Sequence, residues 1–443
     1  MRIVIVGGGA DGSHLAERLV AEGEDVAIVE ADASRAEFLR ENLDAQVIEG
    51  NGASPSVLKR AGIERAEILF AVSDDDGTNV LACQTARSLG LQRTVARIEN
   101  RELRGVVLGS GVEEVIDPRA AVADKLVGLV AHPGLSDYFR FCDASVVVLG
   151  GIVSADSQLV GRSLEQMRGE LSGWDCVIAS VVRDGQTLVG RGATVVEAYD
   201  KIVVVVEASN VERASRLIGA TTRRVDRVVI VGGGRVASLT AAAVRKEGLR
   251  VLLIHDDETR AHTIAERNPK IDVVVGDATD PRLLHAMEIG EGDMFLSLTR
   301  SDAINILSAL IAKRLGASAT VARYNRIDLF DLMPAVGISA GVSAKVAAAN
   351  AVLRFVRRGV VLSAADFMSG GIEALEVEIP ERAPAIGTQI KDLKLPEGAV
   401  IGAILRDGTT IVPRGSTRFR TGDRVVVLAT TRFVRDVERL FGG

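Results

Sequence analysis

Glycines at Gly7, Gly9 and Gly12, with Gly8, Ala10 and Asp11 between them, and a carboxylate at Glu30 are the residues of this chain best suited to chemistry. That chemistry is recognition of an anion and a diol. In G-x-G-x-x-G the first glycine permits a tight turn, the second lets backbone approach a pyrophosphate, and the third lets a helix pack closely on the preceding strand. An acid about twenty residues further on can accept two O–H···O bonds from a ribose diol. A glycine-rich turn with a solvent-exposed Glu30 is the plainer reading of the same residues.

Positioning these groups requires a strand, a helix and a second strand. Arg2 to Val6 is β-branched and nearly all apolar, as a strand buried on both faces of a parallel sheet should be. Ser13 to Ala21 reads as a helix whose free N–H groups point at the phosphate position. Asp25–Val29 is the next strand and delivers Glu30. The alternation continues through strands at Gln46–Ile48, Ile68–Val72, Thr94–Ile98 and Val112–Ile116. A helix opens at Ser54-Pro55 and stops at Gly62, and another spans Thr78–Leu89 before Gly90. The fold class this predicts is α/β, a doubly wound parallel sheet.

The opening sentence of the sequence recurs. RVVIVGGGRVA, from Arg227, repeats RIVIVGGGADG, and Gly232 follows Gly7 by 225 residues. Gly276-Asp277-Ala278 answers Gly50-Asn51-Gly52, Asn305 answers Asn79, Gly316 answers Gly90 and Arg323 answers Arg97. The segments after each sheet domain match as well: Val160-Gly161-Arg162-Ser163-Leu164 with Ile386-Gly387-Thr388-Gln389-Ile390, Arg183-Asp184-Gly185 with Arg406-Asp407-Gly408, and Asp200 with Asp423. Both Asp-Gly pairs read as hairpin turns. The chain is therefore an internal duplication of a Rossmann-like domain followed by a small α+β domain, N1–C1–N2–C2. The expected boundaries are 1–134, 135–220, 225–359 and 370–443. Crossover helices at Arg119–Ala131 and Lys345–Arg357 link large and small units. Val122, Leu126, Leu129 and Val130 give the first an apolar face, which packs either within its own half or on the other half or a neighbouring subunit.

Composition narrows the function. A net charge of −6 and 3% aromatic residues supply neither the basic stripe nor the stacking platforms of a nucleic-acid surface. No apolar run reaches the ~18 to 20 residues of a membrane helix. The chain starts directly in a strand, without a signal peptide or lipidation motif. Cys83, Cys142 and Cys176 are isolated, lack metal spacing, and read as buried small hydrophobes in a reduced compartment.

This order of parts, duplicated, resembles the tandem regulator-of-K+-conductance (RCK) family over essentially the whole chain. The resemblance implies a cytosolic, non-enzymatic subunit that assembles into a ring, a homotetramer with eight sheet domains, beneath a membrane K+-translocating subunit. It implies NAD(H) or ATP/ADP, or both, in the clefts. Carried onto this chain, Gly7 to Gly12 would hold the phosphates, with Glu30 and Asp32 on the adenosine ribose. Asn51 and Gly52 would flank adenine, Ser73 and Asp74 the phosphate or second ribose, and Arg97 a phosphate or a subunit contact. Two local readings remain open. Arg97 can simply pair with Glu99 or another carboxylate, and Asp74 to Asp76 can be a solvated cluster at a helix start.

In the second cleft the corresponding residues are Gly232, Gly233, Gly234, Arg235, Val236, Asp277, Ala278, Thr299 and Arg323. There Ala237 replaces the third glycine and His255 the ribose acid, and a neutral imidazole offers one acceptor only. Arg235, in the place of Ala10, faces terminal phosphates in some relatives. This half is either a second nucleotide site or a structural copy. The competing function is an NAD-dependent dehydrogenase. Hydride transfer needs a general base near the nicotinamide, and none of His14, His132, His255, His262 and His285 recurs between the copies or lies in a readable acid–base motif.

Overall fold

Six parallel strands, β1 (Arg2–Val6), β2 (Asp25–Glu30), β3 (Gln46–Glu49), β4 (Ile68–Ala71), β5 (Thr94–Arg97) and β6 (Glu114–Ile116), form the first sheet in the order β3-β2-β1-β4-β5-β6. Helices α1 (Ala10–Ala21), α2 (Ala33–Asn42), α3 (Pro55–Arg60), α4 (Asp76–Ser88), α5 (Arg104–Gly109) and α6 (Pro118–Ala131) make the connections. Ile3, Val4 and Ile5 are fully buried, as a run without polar alternation requires. Two helices start earlier than the sequence suggests, because their caps lie upstream. Gly9, in extended conformation, is the N-cap of α1, and the Asp75 carboxylate accepts from Thr78 N at 2.6 Å to cap α4. The structure, a computed structural model, describes residues 1–170, 176–220, 224–330, 332–357, 361–367 and 371–442.

The second sheet repeats the first. Strands β12 (Arg227–Val231), β13 (Arg250–His255), β14 (Asp272–Val275), β15 (Asp293–Ser297), β16 (Ala319–Arg323) and β17 (Ala340–Val342) take the order β14-β13-β12-β15-β16-β17. Its helices are α9 (Arg235–Lys246), α10 (Glu258–Arg267), α11 (Pro281–Ala286), α12 (Asp302–Arg314), α13 (Leu332–Ala335) and α14 (Ala344–Val356). Each Rossmann-like domain is followed by an antiparallel sheet. The first is β10-β9-β11-β8-β7, built from β7 (Leu135–Phe141), β8 (Val146–Ile152), β9 (Cys176–Arg183), β10 (Gln186–Val189) and β11 (Lys201–Glu207), with α7 (Leu164–Glu170) and α8 (Val211–Ile218). The second is β18-β19-β22-β20-β21, built from β18 (Val361–Phe367), β19 (Ile372–Glu378), β20 (Ala399–Arg406), β21 (Thr409–Ile411) and β22 (Arg424–Thr430), with α15 (Val434–Gly442).

The R-D-G segments are the expected two-residue hairpins. Asp184 and Gly185 have φ of 49° and 74°, Asp407 and Gly408 of 50° and 75°, the left-handed pair that matches strand twist. The arginine before each turn grips the duplicated aspartate: Arg183 donates to Asp200 at 2.8 and 2.7 Å, and Arg406 to Asp423 at 2.7 Å twice. The motif is thus a structural clamp. One apolar cluster joins the two small sheets, with Val148, Val177 and Val205 from the first and Phe367, Ala403 and Leu428 from the second.

The chain divides into two compact units, Met1–Ala121 with Ala344–Val356, and Val122–Ser343 with Arg357–Gly443. Helix α14 therefore belongs with the first sheet. Its Val352 and Val356 share a core with Ile3, Ile5, Leu15 and Leu19, so this crossover helix docks on the other half of the chain. Val122, Leu126, Leu129 and Val130 of α6 are buried as their spacing requires. All three cysteines are buried and outside any disulfide, and burial pushes the Cys83 and Cys142 thiols up to about 12. Among the described residues no helix is long and apolar enough to cross a membrane.

Candidate nucleotide site

The glycine loop leaves β1 at the point where the strand order reverses, between β1 and β4, which is where open α/β sheets bind ligands. Each glycine has its own reason. Gly7 has φ of 99°, and a Cβ there would lie 2.7 Å from the Ser73 backbone after β4. A Cβ on Gly8 would meet Leu39 Cδ1 at 2.4 Å, and one on Gly12 would lie 1.9 Å from the carbonyl oxygen of Gly7. Gly9 alone is open, with Arg35 Nη1 at 3.7 Å from its Cβ position. The backbone is therefore bare where a pyrophosphate must approach.

Glu30 is almost buried at the end of β2. Its Oε2 accepts from Gly8 N at 2.7 Å and its Oε1 from Asp32 N at 2.9 Å. Those two bonds fix the carboxylate and leave each oxygen further acceptor capacity for a diol. Asp32 caps α2 through Arg35 N at 2.8 Å. Asn51 is exposed and holds its own turn, accepting from Ala53 N at 2.9 Å, while Gly52 is buried with its Cβ position 2.1 Å from Val6. Ser73 lies against the glycine loop, and Asp74 is exposed beyond it. Asp76 accepts from Glu99 N and Asn100 N at 2.9 and 3.0 Å, so it ties the start of α4 to the turn after β5, while Asp75 caps the helix.

Arg97 closes the far side. Its Nη1 donates to Asp11 Oδ2 at 2.9 Å and its Nη2 to Glu99, which in turn pairs with Arg119 of α6. The local reading of Arg97 as a carboxylate partner thus holds in this structure, with Asp11 as an added partner. Burial raises the Asp11 pKa, partly offset by Arg97, Arg119 and Lys345.

Two residues outside the expected set shape the cleft. Asn79, fully buried, donates to the Ser73 and Arg97 carbonyls at 2.9 Å each and accepts from Ser73 N and Oγ at 2.9 and 2.8 Å. Asn305 does the same for Thr299 and Arg323. Arg35 stands by Gly9 one turn into the helix that Asp32 caps, and Asp257 caps Arg260 N in the second copy. Recurrence of Asp-x-x-Arg at both places was the available signal.

The second loop follows the same path with different chemistry. Gly232 has φ of 98°, Gly234 has open space at its Cβ, and the Ala237 methyl is fully buried. His255 Nδ1 accepts from Asp257 N at 2.9 Å, which assigns the ring proton to Nε2. A ribose would meet a donor where Glu30 offers acceptors. Gly233 lies against that ring, its Cβ position 3.1 Å from Nε2. Asp277 holds a turn to Thr279 at 2.8 Å, Ala278 is buried, Arg235 and Val236 open α9, and Arg323 Nη2 lies 3.4 Å from Asn325 Oδ1.

Comparison with known proteins agrees with this fold. The TrkA-N domain matches residues 3–118 and 228–344, and the TrkA-C domain matches 152–219 and 374–442. The chain is 33% identical to the Trk system potassium uptake protein TrkA of Haemophilus influenzae, covering 100% of this chain and 98% of that one. It is also 33% identical to a TrkA homolog of Archaeoglobus fulgidus, over 100% of both. Among solved structures, the GsuK RCK domain has a TM-score of 0.62 at 21% identity, covering 99% of this chain and 94% of that one. The GsuK channel bound to NAD has a TM-score of 0.61 at 20% identity, over 99% and 78%. Both share the fold. With the two domains each matched twice, in the order the duplication requires, the chain belongs to the family of the Trk system potassium uptake protein TrkA.

Proposed function

We propose that this chain is a nucleotide-sensing regulatory subunit of potassium uptake and not an enzyme. It binds NAD(H), and also ATP or ADP, in its Rossmann clefts and passes the state of the ligand to a membrane K+-translocating subunit of the TrkH or TrkG kind. The working assembly is a homotetrameric ring on the inner face of the cell membrane, with domains at 1–134, 135–220, 225–359 and 370–443. A ligand biases gating only through unequal affinity for two ring shapes, and the clefts open beside the first turns of α1 and α4.

The observation that carries the proposal is the Glu30 carboxylate, fixed by Gly8 N and Asp32 N beside the bare backbone of Gly9. It supports an adenine nucleotide with a free ribose diol. Calorimetry of the full chain with NAD, NADH, ADP and ATP tests binding, and rubidium uptake by cells lacking their own copy tests the role. Gly9→Asp puts a carboxylate where pyrophosphate must sit. Since Gly9 has φ of −64° and room for a side chain, the variant should fold, lose first-cleft binding and lose nucleotide-dependent uptake. Absence of binding by all four nucleotides, or their steady turnover, overturns the proposal.

A further inference from the structure

The sheet order gives the first cleft two ends. Glu30 ends β2 on one side of the glycine loop, and Arg97 ends β5 on the other. A nucleotide whose ribose lies on Glu30 runs its phosphates across Gly7 to Gly9, and whatever lies beyond them meets Asp11 and Arg97. The positive charge there is Arg97 and Arg119, with Lys345 from α14 close enough to act on Asp11. Asp11 already occupies it, 2.9 Å from Arg97 in the first turn of α1. The helix N-terminus that would stabilise a phosphate is stabilising this carboxylate.

The second copy is built without that occupant. Val236 stands in the place of Asp11 and Asn325 in the place of Glu99, while Arg323 is kept and Arg235 replaces Ala10. Across these positions the second copy therefore has two fewer carboxylates and one more arginine.

We propose that Asp11 is a specificity-determining residue. By holding Arg97 it fills the cationic end of the first cleft, so that this cleft accepts a diphosphate-bearing nucleotide and rejects the extra charge of a triphosphate. The inference rests on the nucleotide-binding reading above. A triphosphate has to bring another anion to within a few ångströms of Asp11 or displace Asp11 from Arg97. At such distances like charges repel strongly enough to be read as at least a tenfold loss of affinity.

The test compares ADP with ATP, which differ by one phosphate, in excess EDTA so that no divalent ion masks the charge. Calorimetry uses the full chain with Gly234→Asp to silence the second cleft; Gly234 has φ of −72° and open space at its Cβ. With Asp11 present, ADP should bind at least tenfold more tightly than ATP. Asp11→Asn, nearly isosteric, and Asp11→Val, the residue of the second copy, should each cut that preference by about tenfold or more. ADP affinity should change far less, with thermal unfolding reporting that the variants fold. An ATP to ADP ratio unchanged within twofold in both variants overturns the inference while leaving nucleotide binding in place, as does equal weakening of both ligands. No binding of either nucleotide with Asp11 present overturns the nucleotide-binding reading as well.

Discussion

The carbonyl oxygen of Gly7 and the Cα of Gly12 approach so closely that a Cβ on Gly12 would lie 1.9 Å from that oxygen. The first turn of α1 is thereby pressed onto the end of β1, which aims its N–H groups into the cleft. Gly12→Ala must push α1 outward. The expected cost is about 1 to 3 kcal/mol, typical of overpacking, with weakened nucleotide binding. The equivalent Ala237 is buried without such cost in the second copy, so Ala237→Gly should not improve nucleotide binding there. Urea unfolding and calorimetry on both variants check the contrast.

Glu30 holds the loop and, in the proposed site, the ribose as well, so the choice of substitution matters. Glu30→Ala removes the acceptor for Gly8 N and also the diol grip. Glu30→Gln keeps one oxygen and should isolate the charge. Adenine nucleotide binding is expected to weaken by about 1.5 to 3 kcal/mol in Glu30→Ala, as for hydrogen bonds to charged groups, and by less in Glu30→Gln. NADP should bind worse than NAD, because its 2′-phosphate faces a carboxylate. Equal affinity for the two dinucleotides would place the ribose elsewhere.

Asn79 ties the ends of β4 and β5 with four hydrogen bonds from a fully buried amide. Asn79→Leu leaves the Ser73 and Arg97 carbonyls without that donor. Each buried orphan costs about 1 to 3 kcal/mol, so the first unit should unfold at clearly lower urea concentration. Asn305→Leu should do the same to the second unit and leave the first transition in place. Hydrogen exchange at Ser73 and Thr299 separates the two effects by position.

How much of this was legible beforehand follows from sequence distance. The glycine loop, Glu30, the hairpins at Asp184-Gly185 and Asp407-Gly408 and the duplication are local patterns, and each lies where its pattern puts it. The sequence marks out a second crossover helix, but nothing local in it says which sheet that helix covers. Only the fold shows Val352 and Val356 in one core with Leu15 and Leu19. The Asp11–Arg97 pair joins residues 86 positions apart, beyond any periodicity. The resemblance places Asp32 beside the ribose, and the structure adds that its carboxylate caps α2, as a short acid before a helix does. Asn79 and Asn305 were visible as a matched pair, yet their work depends on two strand ends that only the sheet order brings together.

His132 gives a pH dependence with a definite sign. It stacks on Tyr138 with ring centroids 5.2 Å apart, and burial, followed by Arg140, lowers its pKa below 6.5, against a smaller opposing pull from Glu212. The unfolded chain therefore binds a proton near pH 6.5 that the folded chain takes up only at lower pH. Stability falls as pH drops through 6.5 and levels off below the folded pKa. His14, lowered mainly by burial, adds to the same slope. The thermal midpoint should decline between pH 7.5 and 6, and His14→Gln with His132→Gln should flatten that decline.

The proposed ring can be tested through matched exposure in the two copies. Leu81 on α4 is 54% exposed and its counterpart Leu307 on α12 is 49% exposed; Val106 on α5 and its counterpart Leu332 on α13 are 70% and 55% exposed. Large apolar side chains at corresponding surface positions of both sheet domains are what closed, repeated contacts between such domains need. Light scattering at micromolar concentration should give four times the 46.8 kDa chain mass. Leu81→Asp with Leu307→Asp should lower that mass without lowering the thermal midpoint of each unit, because both side chains are already about half in water. A wild-type monomer would remove the ring from the proposal, and a tetramer unmoved by the double substitution would put its contacts on another face.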